Sequence, residues 1–358
     1  MAQANSETDS SPAKPQAEVV CARAGHAGLI TLDRPQALNA LTLAMVRAMR
    51  AALDAWADDP QIACVIVQGA GEKAFCAGGD IRRLVEAGRA GRPEEALAFW
   101  REEYELNALI ADYPKPYIAL IDGICMGGGV GISLHGSHRV AGERYLFAMP
   151  EVGIGFFPDV GASYALPRLP GRTGLYLALT GARLKCADAL ALGLATHAVP
   201  SEAFDAIRDR LQAGEAPDAV LADHARDPGP PPLDAQRAMI DRVFDEGSVA
   251  EIIADLEFEG SEAARQIAKT IKAKSPTSLR IAFEQMRIGA TIDFREAMRM
   301  EFRIVSRILD GTDFYEGVRA VLVDKDQKPQ WEPAKLGDVS DEAVAAYFAP
   351  LVTAELGV

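Results

Sequence analysis

The sequence predicts an α/β protein whose strands run into glycine-rich turns, followed by a region built of helices. Three observations carry that expectation. Strand-like and helical segments alternate up to about Pro200. Two glycine-dense segments each follow a strand directly, and beyond a Pro-rich break at 226–234 the chain reads as helices with charged faces.

Each element follows from its local pattern. LITLDRP (29–35) is a short strand closed by a turn. From Leu41 onward, Leu41, Met45, Val46, Met49, Leu53 and Trp56 recur at helical spacing. ACVIVQG (63–69) and PYIALIDG (116–123) are compact apolar runs of the kind that form buried strands, as in βαβ units with a largely parallel sheet. After RDPGPPPLD (226–234), the segments VAEIIADLEFEG and FREAMRMEFRIVSRILDG read as helices. The chain divides accordingly into a polar tail at 1–17, expected to be disordered, a core at 18–200 and a helical C-terminal region at 201–358. No repeat of fixed period is visible.

Composition narrows the function. A chain of 358 residues that is 49% hydrophobic can bury a large core. The formal net charge of −14 argues against nucleic acid or an anionic membrane surface as the main partner. No apolar run approaches the ~20 residues that span a bilayer. The five cysteines (Cys21, Cys64, Cys76, Cys125, Cys186) are scattered, odd in number and without CxxC spacing, which reads as reduced thiols. That thiol usage makes the expected location cytoplasmic, and residues 1–17, polar, without an apolar core and not Arg-rich, fit neither a secretory signal nor a transit peptide.

The two glycine segments are AFCAGGDI (74–81) and GICMGGGVGISL (123–134). Either alone reads as a tight strand-to-helix turn. The GxGxxG pattern fails, because its third position is Ile132, and the chain has no Gly-Lys pair for a phosphate loop. HGSH (135–138) has no carboxylate or cysteine beside its histidines, so no metal site is expected there. Taken together, two strand ends that each present a glycine amide can converge on one oxygen. That is an oxyanion hole, worth several kcal/mol in acyl chemistry.

A third stretch, MPEVGIGFFPDVG (149–161), places Glu151 and Asp159 among glycines, prolines and large apolar residues. Acidic side chains are rarely buried unless paired. Alone, Glu151 reads as a helix cap or turn carboxylate, Asp159 as a turn residue after Pro158, and Glu103 in REEY as part of a solvated helix face.

In this order and spacing, the three motifs resemble the crotonase (enoyl-CoA hydratase/isomerase) superfamily. FWREEYELN (99–107), FAMPEVGIGFFPDVGASYALPRLPG (147–171) and EGVRAVLVDKDQKPQW (316–331) are similar, more narrowly, to its 3-hydroxyisobutyryl-CoA hydrolase subfamily, over about residues 18–350. The resemblance implies a crotonase-like spiral of ββα units with a helical C-terminal region. It implies an acyl-CoA substrate whose thioester oxygen sits between the amides of Gly79 and Gly128. It implies no separate cofactor, since CoA is part of the substrate, no metal, and a possible homo-oligomer. ALNAL (37–41) matches a region that lies along the CoA moiety.

The family's hydratases use two glutamates. The first position is Gly131 here, a departure, and the second is Glu151. In the hydrolase subfamily the acidic partners match Glu151 and Asp159, with Glu103 contacting substrate. The implied activity is hydrolysis of 3-hydroxyisobutyryl-CoA, or a close short-chain 3-hydroxyacyl-CoA, to free hydroxy acid and CoA in valine catabolism. An enoyl-CoA hydratase or isomerase is the alternative, and an ester-binding protein without turnover is a third. Glu151 would attack the thioester carbonyl or deprotonate water, and Asp159 would bind the 3-hydroxyl, position water or shuttle a proton. Cys76 and Cys125 read as structural thiols, Ser133 as a helix residue rather than a nucleophile, and Asp80 as the cap of the next helix.

Overall fold

The computed structural model describes residues 17–352 and 355–358. The expected tail therefore lies, but for Ala17, outside the described residues.

β1 (Val19–Ala24) and β2 (Ala27–Leu32) form an antiparallel hairpin. α1 (Leu43–Ala57) follows, capped by the Thr42 hydroxyl, which accepts from the Met45 N–H. Its buried face is Met45, Val46, Met49, Leu53 and Trp56, five of the six residues in the periodic set read from the sequence; Leu41, the sixth, lies before the helix in a bridge with Gly79. Three strand pairs come next. β3 (Cys64–Gly69) and β4 (Ala74–Cys76) precede α2 (Ile81–Arg89) and α3 (Pro93–Ala111). β5 (Tyr117–Ile121) and β6 (Ile124–Met126) precede α4 (Gly128–Leu134). β7 (His138–Ala141) and β8 (Leu146–Ala148) precede α5 (Ala162–Ala165) and α6 (Thr173–Thr180). β9 (Leu184–Lys185), α7 (Cys186–Ala191) and β10 (His197–Ala198) complete this half.

The first strand of each pair joins a six-stranded sheet ordered β1-β2-β3-β5-β7-β10, and the second joins a four-stranded sheet ordered β4-β6-β8-β9. All neighbours are parallel except β1 with β2 and β8 with β9. Each unit thus turns the chain from one sheet into the other and lies beside the unit before it, which is the expected spiral. Every residue of β5 is buried, as are the first four of β3, because the larger sheet is covered on both faces.

Beyond Ala198 the described elements are helical: α8 (Phe204–Gln212), α9 (Pro217–His224), α10 (Asp234–Val243), α11 (Val249–Glu259), α12 (Glu262–Lys272), α13 (Pro276–Gly289), α14 (Phe294–Ile308), α15 (Asp313–Val318) and α16 (Asp341–Phe348). Ser248, Ser261, Ser275, Asp293 and Ser340 cap five of them through side-chain oxygens. Ile281 of α13 and Phe302 of α14 share one hydrophobic cluster with Tyr104, Ala162 and Leu166, so the helical region packs on the spiral through a common core. No helix among the described residues is long and apolar enough to cross a membrane.

Two local expectations differ. β4, β6 and β8 have three residues each, too few to show alternation, and two of them lie within segments that read as turns. Asp80 stands just before α2, but its side chain makes no capping bond. Its carboxylate instead accepts from the Arg34 guanidinium at 3.0 Å, because Arg34 is buried and needs a counter-charge.

Candidate active site

β4 and β6 are parallel neighbours, so their C-terminal ends lie side by side. The chain leaves β4 through Gly78 at φ +119° and leaves β6 through Gly127 at φ +47°, conformations that glycine adopts without strain. The following residues are Gly79 and Gly128. A bridge fixes the first: Leu41 N–H donates to Gly78 O and Asp80 N–H to Leu41 O, both at 2.8 Å, so the Gly79 N–H takes no part in it. Gly128 opens α4, and its N–H is one of those with no partner inside the helix. A Cβ added at Gly128 would stand 3.3 Å from Gly79 N and 2.5 Å from Glu103 Oε1, and one at Gly79 would meet the Phe99 ring at 3.1 Å. A side chain at Gly128 would therefore displace the Glu103 carboxyl, and one at Gly79 would press on the Phe99 ring.

α3 supplies Glu103. Pro93 at its start and Glu94 and Glu95 in its first turn suit a helix N-terminus. Its buried face runs through Phe99, Trp100, Glu103, Tyr104 and Asn107, so Glu103 points inward and not onto a solvated face. Glu151 begins a 3-10 turn, and Asp159 lies on the loop after it. A Cβ at Gly127 would come within 3.2 Å of Glu151 Oε1. Gly79, Gly128, Glu103, Glu151 and Asp159 all line one cavity of about 1070 Å³, larger than the ~300–1,000 Å³ of most small-molecule sites.

The three carboxyl groups are almost wholly buried, with Glu103 at 2%, Asp159 at 4% and Glu151 at 7% exposure. Glu103 Oε1 and Glu151 Oε2 have no hydrogen-bond partner among the described residues. Burial, reinforced by the Asp159 charge, pushes the Glu103 and Glu151 carboxyls well above the usual range. Burial also pushes Asp159 up to about 7, and a hydrogen bond from the Tyr104 hydroxyl at 2.8 Å works against that rise. With all three carboxyls pushed upward, near neutral pH the site holds fewer negative charges than carboxyl groups. A group that can accept a proton and one that can give it are then both present.

Sequence reading missed Tyr104, Asn107, Gln285 and Glu301. Tyr104 and Asn107 had a usable signal, since they fall on the same helical face as Phe99, Trp100 and Glu103. Asn107 is fully buried, and its amide has no hydrogen-bond partner among the described residues. A Cβ at Gly131 would meet Val160 Cβ at 2.7 Å and Asn107 Nδ2 at 2.9 Å, so packing enforces the departure at 131. Ala37, Leu38 and Ala40 of the 37–41 segment line the same cavity, with Gln36 before them. Arg82, Arg183, Lys274 and Lys325 are the cationic residues lining it, and nothing in the sequence singled them out.

The remaining candidates lead elsewhere. Burial pushes the thiols of Cys76 and Cys125 far up, the latter to about 12, which leaves them inert. The Ser133 hydroxyl donates to Gly129 O at 2.7 Å within its own helix. His135 bonds to Val160 O and His138 to the Asp218 carboxylate, so the two rings serve different partners.

The sequence profile of the enoyl-CoA hydratase/isomerase family matches residues 27–348. The chain belongs to the enoyl-CoA hydratase/isomerase family. Among curated relatives of this family member, the protein of Danio rerio named 3-hydroxyisobutyryl-CoA hydrolase, mitochondrial, is 50% identical over 348 residues, covering 94% of this chain and 91% of its own. The Homo sapiens protein of the same name is 45% identical, covering 95% and 90%. Among solved structures, a carnitinyl-CoA dehydratase from Mycobacterium thermoresistibile superimposes with a TM-score of 0.91 at 43% identity, covering 95% of this chain and 98% of that one. An enoyl-CoA hydratase from Rhodobacter sphaeroides 2.4.1 gives 0.90 at 41% identity, covering 96% and 100%. The relatives' names overturn the expected cytoplasmic location, because the curated hydrolases are named as mitochondrial proteins. Scattered reduced thiols fit any reducing compartment and could not tell these apart.

Proposed function

We propose that the chain hydrolyses the thioester of 3-hydroxyisobutyryl-CoA, or a close short-chain 3-hydroxyacyl-CoA, to the free hydroxy acid and CoA. The reading rests on one arrangement: Glu151 and Asp159 share a cavity with the Gly79 and Gly128 amides, while the space beside Gly131 is filled. The curated relatives' names agree with it, and valine breakdown is the setting that the sequence resemblance implies.

In this reading the thioester oxygen lies between the two glycine N–H groups, which stabilise it as it becomes an oxyanion. Ionised Glu151 either attacks the carbonyl carbon or takes the proton from a water that does. The C–S bond breaks, and sulfur leaves as a thiol once protonated. On the first route an acyl–Glu151 anhydride forms, and water then cleaves it to the acid. Asp159 takes the substrate's 3-hydroxyl and moves the proton, and Glu103 contacts the acyl group. Trp100 and Phe156, stacked at 5.4 Å on the cavity wall, keep bulk water from the acyl end. Arg82, Arg183, Lys274 and Lys325 are the candidates for the CoA phosphates.

Hydration of an enoyl-CoA, the activity for which the Rhodobacter protein is named, requires a second acid where this chain has Gly131. Free-thiol release across short acyl-CoA esters with and without a 3-hydroxyl tests the proposal. Release from 3-hydroxyisobutyryl-CoA that is lost in Glu151→Gln supports it. Hydration of crotonyl-CoA without thiol release overturns it. A single turnover in labelled water bears on the two routes: label in Glu151 marks an anhydride opened at the Glu151 carbonyl, whereas label in the hydroxy acid alone fits general-base attack or an anhydride opened at the acyl carbon.

A further inference from the structure

Asp159 belongs to a loop held residue by residue. Pro158 O accepts from Gln285 Nε2 at 2.5 Å. The Asp159 carboxylate accepts from Tyr104. Val160 O accepts from His135 Nε2 at 2.7 Å, which places the ring proton on that nitrogen. Gly161 N and Ser163 N donate to the two oxygens of Glu301 at 2.8 and 3.1 Å, and the Ser163 hydroxyl also bonds to Glu301. The four holding side chains come from α13, α3, the end of α4 and α14.

The loop needs holding. Val160 sits at φ +54°, a left-handed conformation that costs a β-branched residue about 1–3 kcal/mol and persists only where surroundings impose it. Gln285 and Glu301 are both fully buried. The Gln285 oxygen has no partner among the described residues, and burial drives the Glu301 carboxyl up to about 8. Apolar residues there would pack without those penalties. What the two polar groups give in return is contact with the backbone on either side of Asp159.

We infer that Gln285 and Glu301 are positioning residues for Asp159, acting from the C-terminal helices through the backbone of residues 158–163. The inference rests on Asp159 taking part in the proposed hydrolysis. Positioning errors of about 1 Å cost on the order of 100-fold in rate. Glu301→Gln keeps the shape but sets an amide NH2 against donors, and Gln285→Met removes the bond to Pro158 O.

Both variants are assayed for kcat and KM on 3-hydroxyisobutyryl-CoA and on isobutyryl-CoA, and their crystal structures are compared with that of the unaltered chain. The expected result is a displaced Asp159 carboxylate, with kcat on the hydroxylated ester down about 10- to 100-fold and KM within about threefold. Preference for the hydroxylated ester falls as well, and because it is a ratio it is insensitive to the folded fraction. An unmoved Asp159, or an unchanged preference, overturns the inference. If the unaltered chain releases no thiol from either ester, the proposed hydrolysis fails instead, and the Asp159 position in the two structures decides the clamp alone. Should Glu301→Gln not fold, Gln285→Met carries the same measurements.

Discussion

The hydroxyl of Tyr104, fully buried behind the cavity, donates at 2.8 Å to Oδ2 of Asp159, which lines it. That bond favours the ionised carboxylate, against the burial that lifts Asp159 to about 7. Tyr104→Phe removes it without altering the ring. The ionisation of Asp159 should then move upward by about one pH unit. The check is the acid limb of kcat/KM against pH, which should shift to higher pH in the variant. A limb that stays in place would show that Asp159 ionisation does not govern turnover.

Gly131 should not accept a side chain. Gly131→Ala pushes a methyl group against Val160 and Asn107 and is expected to destabilise the chain by about 1–3 kcal/mol, read as a lower melting temperature. Gly131→Glu, which restores the residue type of the family's hydratases, is expected to give no hydration of crotonyl-CoA by absorbance. Hydration by that variant would mean that the loop at Val160 can move aside.

Arg319 organises the rim of the cavity. It pairs with Glu316, Asp324 and Asp326 at 2.7–2.8 Å and donates to Lys328 O at 3.2 Å. These bonds hold a turn in which Lys325 and Gln327, both at positive φ, line the cavity. Arg319→Ala should loosen CoA binding far from the reacting bond. We expect KM to rise about tenfold, roughly 1.4 kcal/mol, with kcat within about threefold. A fall in kcat at constant KM would refute this division.

Stability should decline as pH rises through neutrality. Asp159 and Glu301 have folded values of about 7 and about 8, against ordinary values of 3.8 and 4.5. Between the ordinary and folded values the native state holds protons that the unfolded chain has released. Their contribution is complete below about pH 4 and is lost as pH climbs through 7 to 8. Glu301→Gln should therefore flatten the fall in melting temperature between pH 5 and 8.5, measured by calorimetry. An unaltered slope would mean that Glu301 stays ionised throughout.

The alternation of strands and helices, and the order of the glycine and proline-glutamate motifs, were legible because each depends on a few neighbouring residues. Met45 to Trp56 form a helix face as their spacing dictates, and the strands of the large sheet announce themselves as apolar runs. Glu103 read as solvated because charge on a helix is solvated by default. Only the company of Phe99, Trp100 and Asn107 on the same face shows that it points inward. Gln285 and Glu301 lie 127 and 138–140 residues from the groups they hold, and no local pattern encodes such a bond. Asp80 followed the rule for caps until Arg34, distant in sequence, claimed its carboxylate.

β4 and β6 run side by side, and each passes through a positive-φ glycine into the residue whose amide borders the cavity. Gly79 and Gly128 are thus equivalent points on consecutive copies of one structural unit, although the sequence shows no repeat. A cleft that needs two donors from two directions takes both from one backbone course used twice. Side chains around that course differ between the two units while the paired amides stay, because what the units share is a path of the main chain.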